Sequence, residues 1–363
     1  MSEPYRIEES LARARTLPAH LYTDPRFLEE EKARVFSRTW QLVGRSLQVK
    51  EPGQYFTATV GDEPLLIVRG TDERLRAFSN VCRHRAGPVA EGEGARKSFR
   101  CGYHGWSYNL EGRLVHTPEF NGVENFSREE NCLPEFRVET WGSLVFVNLD
   151  REAEPLLQTL EDLPELVGNR DFGSMRLAAR RDWFVNCNWK VYVDNYLEGY
   201  HIPIVHPSLN RELDYDEYRT ETRRFYSIQH SPIRRDRAER LKVNDETGED
   251  EAQYFWLFPN LMLNVYPDNY STNLIVPIDE SRTLTVFEWY FLNPERDETK
   301  EAIARTVEFS DEIQLEDIKI CEAVQRGLRS RTYSQGRYSV RRENGVHHFH
   351  RLLAEFLARK EEN

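Results

Sequence analysis

The chain has 363 residues, and its 61 Asp and Glu outnumber its 49 Lys and Arg to leave a formal net charge of -12. Nucleic-acid binding depends first on clustered Lys and Arg, so that class of partner is not expected. With 12% aromatic and 30% charged residues, no repeat and no Pro/Ser/Gly-rich tract, the composition is that of a soluble globular protein long enough for two domains. The first residues, MSEPYRIEESLARARTLPAH, are acidic near their start and lack an apolar core of signal-peptide length. No later window is apolar enough to span a bilayer, so a cytoplasmic protein without a membrane partner is expected.

Residues 1–40 predict an N-terminal helical segment, with Phe27, Leu28, Val35 and Phe36 at helical spacing and Trp40 ending it. From 41 to 150 short β-rich runs, Gln54–Val60, Pro64–Val68 and Ser143–Asn148, alternate with Gly, Asp and Pro turns, which predicts a small all-β domain. An acidic connector occupies 151–180. Asp182–His201 then predicts a strand followed by a helix, and β runs return at Gln253–Val265, Ser271–Pro277 and Thr283–Leu292. A helix over Lys300–Leu328 follows. The second half, 151–363, is therefore expected to be α+β around an antiparallel sheet, with the N-terminal segment packed on it.

Two motifs in the β-rich part carry metal-ligand residues: Cys82-Arg83-His84 and Cys101-Gly102-Tyr103-His104, flanked by Gly87, Gly102 and Gly105. In a Rieske centre two thiolates hold one iron and two imidazoles the other, and two loops that each offer one Cys and one His supply that set. Zinc fingers pair Cys with Cys and His with His along the chain, so mixed pairs fit zinc poorly. Trp106 is expected to pack over the cluster. Cys132, Cys187 and Cys321 have no Cys or His partner at comparable spacing and are expected to be buried apolar residues; an odd count of five cysteines disfavours a disulfide framework.

A second constellation lies at Asp194–Pro207. Glu198 and His201 are three apart, expected on one helical face, and Pro203 is expected to end that helix so that His206 turns back toward the same point. A carboxylate would complete a facial triad with open iron positions. On the Lys300–Leu328 helix Ile313, Ile320, Val324 and Leu328 form an apolar stripe with Asp317 at its centre, while Glu316 and Glu322 are expected to face solvent. A buried carboxylate needs a metal or a cation, the alternative being an ion pair with Arg223 or Arg329.

C-R-H-R-A-G, C-G-Y-H-G-W and N-x2-E-x-Y-H-x4-H followed by a distant Asp resemble the Rieske non-haem iron oxygenases, the ring-hydroxylating oxygenase α subunits, over essentially the whole chain. The resemblance implies an all-β Rieske domain at 41–150 and a helix-grip catalytic domain at 151–363. It implies one 2Fe-2S cluster on Cys82, His84, Cys101 and His104, and one Fe(II) on His201, His206 and Asp317, with Asn195 beside it. Glu198 would bridge His104 of a neighbouring subunit to His201, because in this family the cluster of one subunit serves the iron of the next in a cyclic trimer. Many members carry Asp at the bridge. Glu198, with F-P-N-L-M-L-N-V-Y-P (Phe258–Pro267) and E-D-I-K-I-C-E-A-V-Q-R-G-L (Glu316–Leu328), points to the quaternary-ammonium branch of carnitine, choline and glycine betaine monooxygenases.

The expected activity is O2-dependent hydroxylation of a small quaternary ammonium compound, giving N-demethylation or C–N cleavage. Electrons would come from NAD(P)H through a separate flavin/iron-sulfur reductase, because the chain has no G-x-G-x-x-G unit. Trp256, Phe258 and Tyr266 are candidate substrate contacts through cation–π attraction, the alternative being core packing, since aromatics are favoured in strands anyway. An aromatic carboxylate hydroxylated on the same iron is the alternative substrate. A pure Rieske electron carrier is disfavoured because it has no use for His201, His206 and Asp317. The chain length suits an α-only trimer rather than a dioxygenase with β subunits. Arg83, Arg85 and Arg96 are candidate docking residues for the reductase, and His347, His348 and His350 are expected at a polar helix start rather than on a metal.

Overall fold

Apolar runs buried on both faces build the central strands of the unit Phe36–Thr159 in the computed structural model, which describes residues 5–168, 172–241 and 251–359. A seven-stranded sheet runs in the order Gln41–Arg45, Leu144–Asn148, Glu135–Trp141, Leu75–Ser79, Glu63–Arg69, Gln54–Val60, Glu93–Ala95, and three shorter strands lie at Phe99–Arg100, Ser107–Tyr108 and Leu114–His116. In Glu63–Arg69, Leu65 and Ile67 point into one core with Val49, Phe56 and Val145, while Leu66 and Val68 pack on the opposite face with Cys82, Cys101, Trp106 and Tyr108. Successive side chains of a strand leave opposite faces, so a strand apolar at every position is covered on both. That second core anchors the two Cys/His loops.

The other unit comprises Met1–Val35 and Leu160–Asn363. Its seven strands are all antiparallel to their neighbours, in the order Arg176–Val185, Arg282–Phe291, Asn269–Asp279, Leu261–Val265, Glu251–Leu257, Tyr226–Pro232, Arg219–Thr222. The run expected as one strand over Gln253–Val265 is two, divided at Phe258–Asn260, where Pro259 follows a cis peptide bond and cannot donate to a ladder. Helices Trp189–Tyr196, Asp297–Leu328 and Asn344–Ala358 belong to the same unit.

Two expectations about helices change. The buried line of Asp297–Leu328 is Gln314, Cys321, Gln325 and Leu328, whereas Ile320 and Val324 are 36% and 44% exposed. The helix docks partly through polar groups: Gln314 accepts from the Tyr192 hydroxyl and donates to Thr285 Oγ1 at 3.1 Å, and Gln325 Oε1 accepts from Asn188 N at 3.0 Å. A count of apolar residues alone selected the adjoining flank, since neighbours on a helix differ by about 100°. His347 and His350 lie at the start of the helix Asn344–Ala358 as expected, but they are buried rather than on a polar face: His347 Nε2 meets Glu8 O at 2.8 Å, and His350 joins Asp194 (2.8 Å) to the Tyr338 hydroxyl (2.6 Å). Burial holds His348 down to about 4, so it is neutral.

The N-terminal helix Pro25–Arg34 is tied to the helix that carries Asn195 by a buried pair, Lys190 Nζ to Glu31 Oε1 at 2.7 Å, with side chains 0% and 1% exposed. Trp189 Nε1 donates to the second Glu31 oxygen at 2.7 Å. Burial pushes the Glu31 carboxyl up, and Lys190 and Trp189 oppose it. Lys190→Met should therefore cost about 3–5 kcal/mol by leaving Glu31 buried without its cation, and Glu31→Leu/Lys190→Met should recover most of that. Thermal unfolding of the single and double variants checks it; a double variant no better than the single refutes the charge argument.

Candidate metal centres and the adjoining cavity

Both Cys/His loops end on buried sulfur. Cys82 and Cys101 are buried, their sulfurs in hydrogen-bonding contact, and the rings of His84 and His104 stand 4.6 Å apart. The loops thus sort their donors into a sulfur pair and an imidazole pair. His84 Nδ1 is buried with no hydrogen-bond partner among the described residues, which suits a metal ligand. Gly87 lies so near that a Cβ there would stand 3.0 Å from Cys101 Sγ, and Gly105 takes the left-handed φ of +75° that its turn requires. Trp106 is buried and stacks on His84 at 4.8 Å with 9° between the rings. Tyr108 Oη accepts from Arg83 N at 3.0 Å and lies 3.4 Å from Cys82 Sγ. A ligating thiolate has no proton, so there the hydroxyl is the donor, and such bonds raise a cluster's potential. The donor set fits a 2Fe-2S centre of the two-Cys, two-His kind.

In the other unit the helix Trp189–Tyr196 stops before Glu198, contrary to expectation, and a new short helix begins at Ile202 with Pro203 in its first turn. Glu198 and His201 therefore meet in a turn: Glu198 Oε1 lies 2.7 Å from His201 Nδ1, and Oε2 accepts from His201 N at 3.1 Å. Gly199 is needed here because a Cβ would come 2.7 Å from the Tyr218 ring. His206 follows, between two helices headed by Pro203 and Pro207.

His201 Nε2, His206 Nε2 and Asp317 Oδ1 converge. The separations are 3.2 Å between the imidazoles, 3.0 Å from His206 to Asp317 and 3.7 Å from His201 to Asp317. Ligands about 2.1 Å from an ion on one octahedral face sit about 3 Å apart, so two imidazoles and one carboxylate here fit a facial triad. Among the described residues this is the group of His, Cys, Asp and Glu with such geometry. Asn195 Nδ2 donates to Asp317 Oδ1 at 2.7 Å, and Arg223 pairs with Asp162 and Glu221 rather than with Asp317. Burial alone would lower the His206 pKa, but hydrogen bonds and charge from Asp317 and Glu316 outweigh it and raise it. Glu316, expected in solvent, lies 2.7 Å from His206 Nδ1. Its position one residue before Asp317 put it off the apolar stripe, and no spacing rule marks it.

A cavity of about 160 Å³ opens beside the triad. Its sheet side includes one cross-strand row: Gln229 pairs with Tyr254, Tyr254 with Asn264, Asn264 with Ser271, and Ser271 with Trp289, and all five line it. Tyr266, Asp268 and Phe309 also contribute. Of the three expected substrate contacts only Tyr266 is in the lining. Trp256 lies on the face of Tyr254 but two residues further along, packed 5.3 Å from Phe349, and donates to Pro259 O; Phe258 packs on Phe356 at 4.9 Å. Trp289, Phe309 and Asp268 went unnoticed in the sequence. The alternation of polar Asn269, Ser271 and Asn273 on a buried strand was the available sign, since such groups are kept inside only beside partners or a cavity. Cys187 and Cys321 are buried in mutual contact, while Cys132 is only half-buried, unlike the expectation. Among the described residues no helix is long and apolar enough to cross a membrane.

Two family models match: the Rieske [2Fe-2S] domain over residues 39–127 and the ring hydroxylating alpha subunit (catalytic domain) over 170–359. The chain belongs to the ring-hydroxylating Rieske oxygenase α-subunit family, and is an oxidoreductase with a Rieske domain joined to a non-haem iron catalytic domain. It is 39% identical to the chloroplastic choline monooxygenase of Arabidopsis thaliana, over 94% of this chain and 83% of that one. It is 35% identical to the carnitine monooxygenase oxygenase subunit of Escherichia coli (strain K12), over 94% and 93%. A solved quaternary ammonium Rieske monooxygenase, described for carnitine oxidation and inter-subunit electron transfer, superposes with a TM-score of 0.87 at 30% identity over 98% and 100% of the two chains.

Anaerobically purified protein should hold about three irons and two labile sulfides per chain, and His201→Ala/His206→Ala about two irons with an unchanged cluster spectrum. Metal and sulfide analysis decides it: two irons in both proteins would remove the mononuclear centre.

Proposed function

We propose that the protein is the terminal oxygenase of a multicomponent system that hydroxylates a small quaternary ammonium compound on a carbon beside its nitrogen. The carbinolamine so formed collapses, releasing a tertiary amine and an aldehyde. Cys82, His84, Cys101 and His104 hold the cluster, and His201, His206 and Asp317 the iron. When bound, the cluster relays single electrons and the iron activates O2.

The observation that carries the substrate class is the aromatic and acidic lining beside the triad. Tyr254, Tyr266, Trp289 and Phe309 offer ring faces, and Asp268 stands with them. Burial pushes the Tyr266 phenol up to about 12 and Tyr254 well above its ordinary value, so both rings stay neutral and act through their π faces. A cation over such a face gains about 0.5–2 kcal/mol. The two arginines of the lining have carboxylate partners, Arg240 with Glu312 at 2.6 Å and Arg305 with Glu301 at 3.9 Å, which weighs against an anionic arene. The choline and carnitine monooxygenases similar to this chain support the same class. Tyr266→Ala should raise the KM for a quaternary amine about 2- to 30-fold, the equivalent of that cation–π gain. Substrate-dependent O2 uptake and aldehyde release with NADH and a flavin/iron-sulfur reductase measure it; uptake stimulated by aromatic carboxylates and not by quaternary amines would reverse the assignment.

Glu198 is assigned to electron and proton passage between centres of neighbouring subunits, a reading supported by its bond to His201. Its Oε1 holds Nδ1 of His201, and as a carboxylate it has a further lone pair for an imidazole N–H such as that of His104 in an adjacent chain. A homotrimer in the cytoplasm with electrons drawn from NAD(P)H completes the proposal. Glu198→Gln should keep both metals and slow turnover about 10- to 100-fold. Wild-type rates in a fully metallated variant would exclude the bridge.

A further inference from the structure

His206 is gripped at both ring nitrogens by consecutive residues of one helix. Asp317 Oδ1 lies 3.0 Å from Nε2 and Glu316 Oε2 lies 2.7 Å from Nδ1. The His206 side chain is 2% exposed and that of Glu316 is 31% exposed, so the outer carboxylate keeps an edge in water while its inner oxygen meets the ring. An ionised carboxylate only accepts, so Nδ1 carries a proton toward Glu316; with iron held among Nε2, Asp317 and His201, the Nε2 lone pair would be the one left to ligate. Glu198 does the same for His201 at an equal distance.

The two carboxylates nonetheless differ in origin. Glu198 and His201 lie in one turn, whose own backbone bond from His201 N to Glu198 helps to set the ring. Glu316 comes from the helix Asp297–Leu328, and His206 sits at a break between two short helices with φ -118° and ψ 70°, outside the helical region. His206 N donates to Ile202 O at 3.0 Å and its carbonyl accepts from Asn210 N at 2.9 Å, while the long helix supplies the carboxylate at each ring nitrogen.

We propose that Glu316 is a positioning residue for the mononuclear iron: it selects the His206 tautomer, aims Nε2 at the triad and increases its basicity, and so governs how tightly iron is retained. The roles of the two carboxylates then separate, Glu316 acting on iron retention and Glu198 on passage between centres. The inference rests on the assignment of His201, His206 and Asp317 as iron ligands.

The test uses the full cluster-loaded chain and Fe(II) alone. Chelator competition gives the Fe(II) affinity, the visible spectrum of the cluster reports an intact fold, and the electron paramagnetic resonance of the Fe(II)–nitric oxide adduct reports ligand geometry. Glu316→Ala should weaken Fe(II) binding about 10- to 100-fold and alter the nitric oxide signal while leaving the cluster spectrum unchanged. Glu316→Met, of similar length but without an acceptor, should do the same and carries the test if the alanine variant does not fold. Glu316→Gln, whose amide oxygen can still accept from Nδ1, should recover most of the affinity. Wild-type affinity and an unchanged nitric oxide signal in the Ala or Met variant would overturn the role of Glu316. A wild-type chain that binds no Fe(II) beyond its cluster would overturn the iron assignment itself, and the proposal with it.

Discussion

The convergence of Asp317 with His206 is the contact on which the catalytic unit depends. A carboxylate drawn into a half-buried position costs several kcal/mol unless a cation or donors receive it. Here Asn195 and the two imidazoles do so, at 2.7 to 3.7 Å. The contact also joins elements far apart in sequence, because Asp317 rides on the long helix while the histidines occupy a loop that interrupts helical structure twice. The polar inner line of that helix follows from it. Gln314 and Gln325 flank Asp317 on the buried side, each bonded to a group of the sheet or of the segment leading into Trp189–Tyr196.

The cluster unit solves a different problem. Two short loops must bring two sulfurs to one iron and two imidazoles to the other, and neither loop has internal regularity to hold it. The second core of the sheet supplies the support, with Leu66, Val68 and Phe78 beneath Cys82, Cys101 and Tyr108. Close packing makes such a loop insensitive to thermal motion, and it explains the glycines where a Cβ would meet Cys101 Sγ or where φ is positive. Trp106 shields one imidazole from water by stacking on it.

The wall of the cavity comes from a third device, the register of the antiparallel sheet. A cross-strand row sets Gln229, Tyr254, Asn264, Ser271 and Trp289 side by side, so two aromatic rings and three hydrogen-bonding groups share one wall beside the triad. A shift of one residue in any strand would exchange that wall for the opposite face.

Much of this was legible in the sequence. The Cys/His spacing, the Glu198-to-His206 segment and the strand runs, such as Gln54–Val60, follow from local chemistry: ligand types, turn residues and period-2 alternation. Asp317 was singled out for its place on a helix, although through the wrong apolar flank, since Ile320 and Val324 face outward. Glu316, Asp268 and Trp289 were not found, and Trp256 and Phe258 were placed in the cavity when they belong under the C-terminal helix. Sequence by itself determined which residues can ligate metal and where strands and helices form, because those depend on neighbours along the chain. Only the tertiary structure decided which carboxylate grips which imidazole and which aromatic rings line the cavity beside the triad, because helix rotation and strand register are set by packing between segments that are not neighbours along the chain.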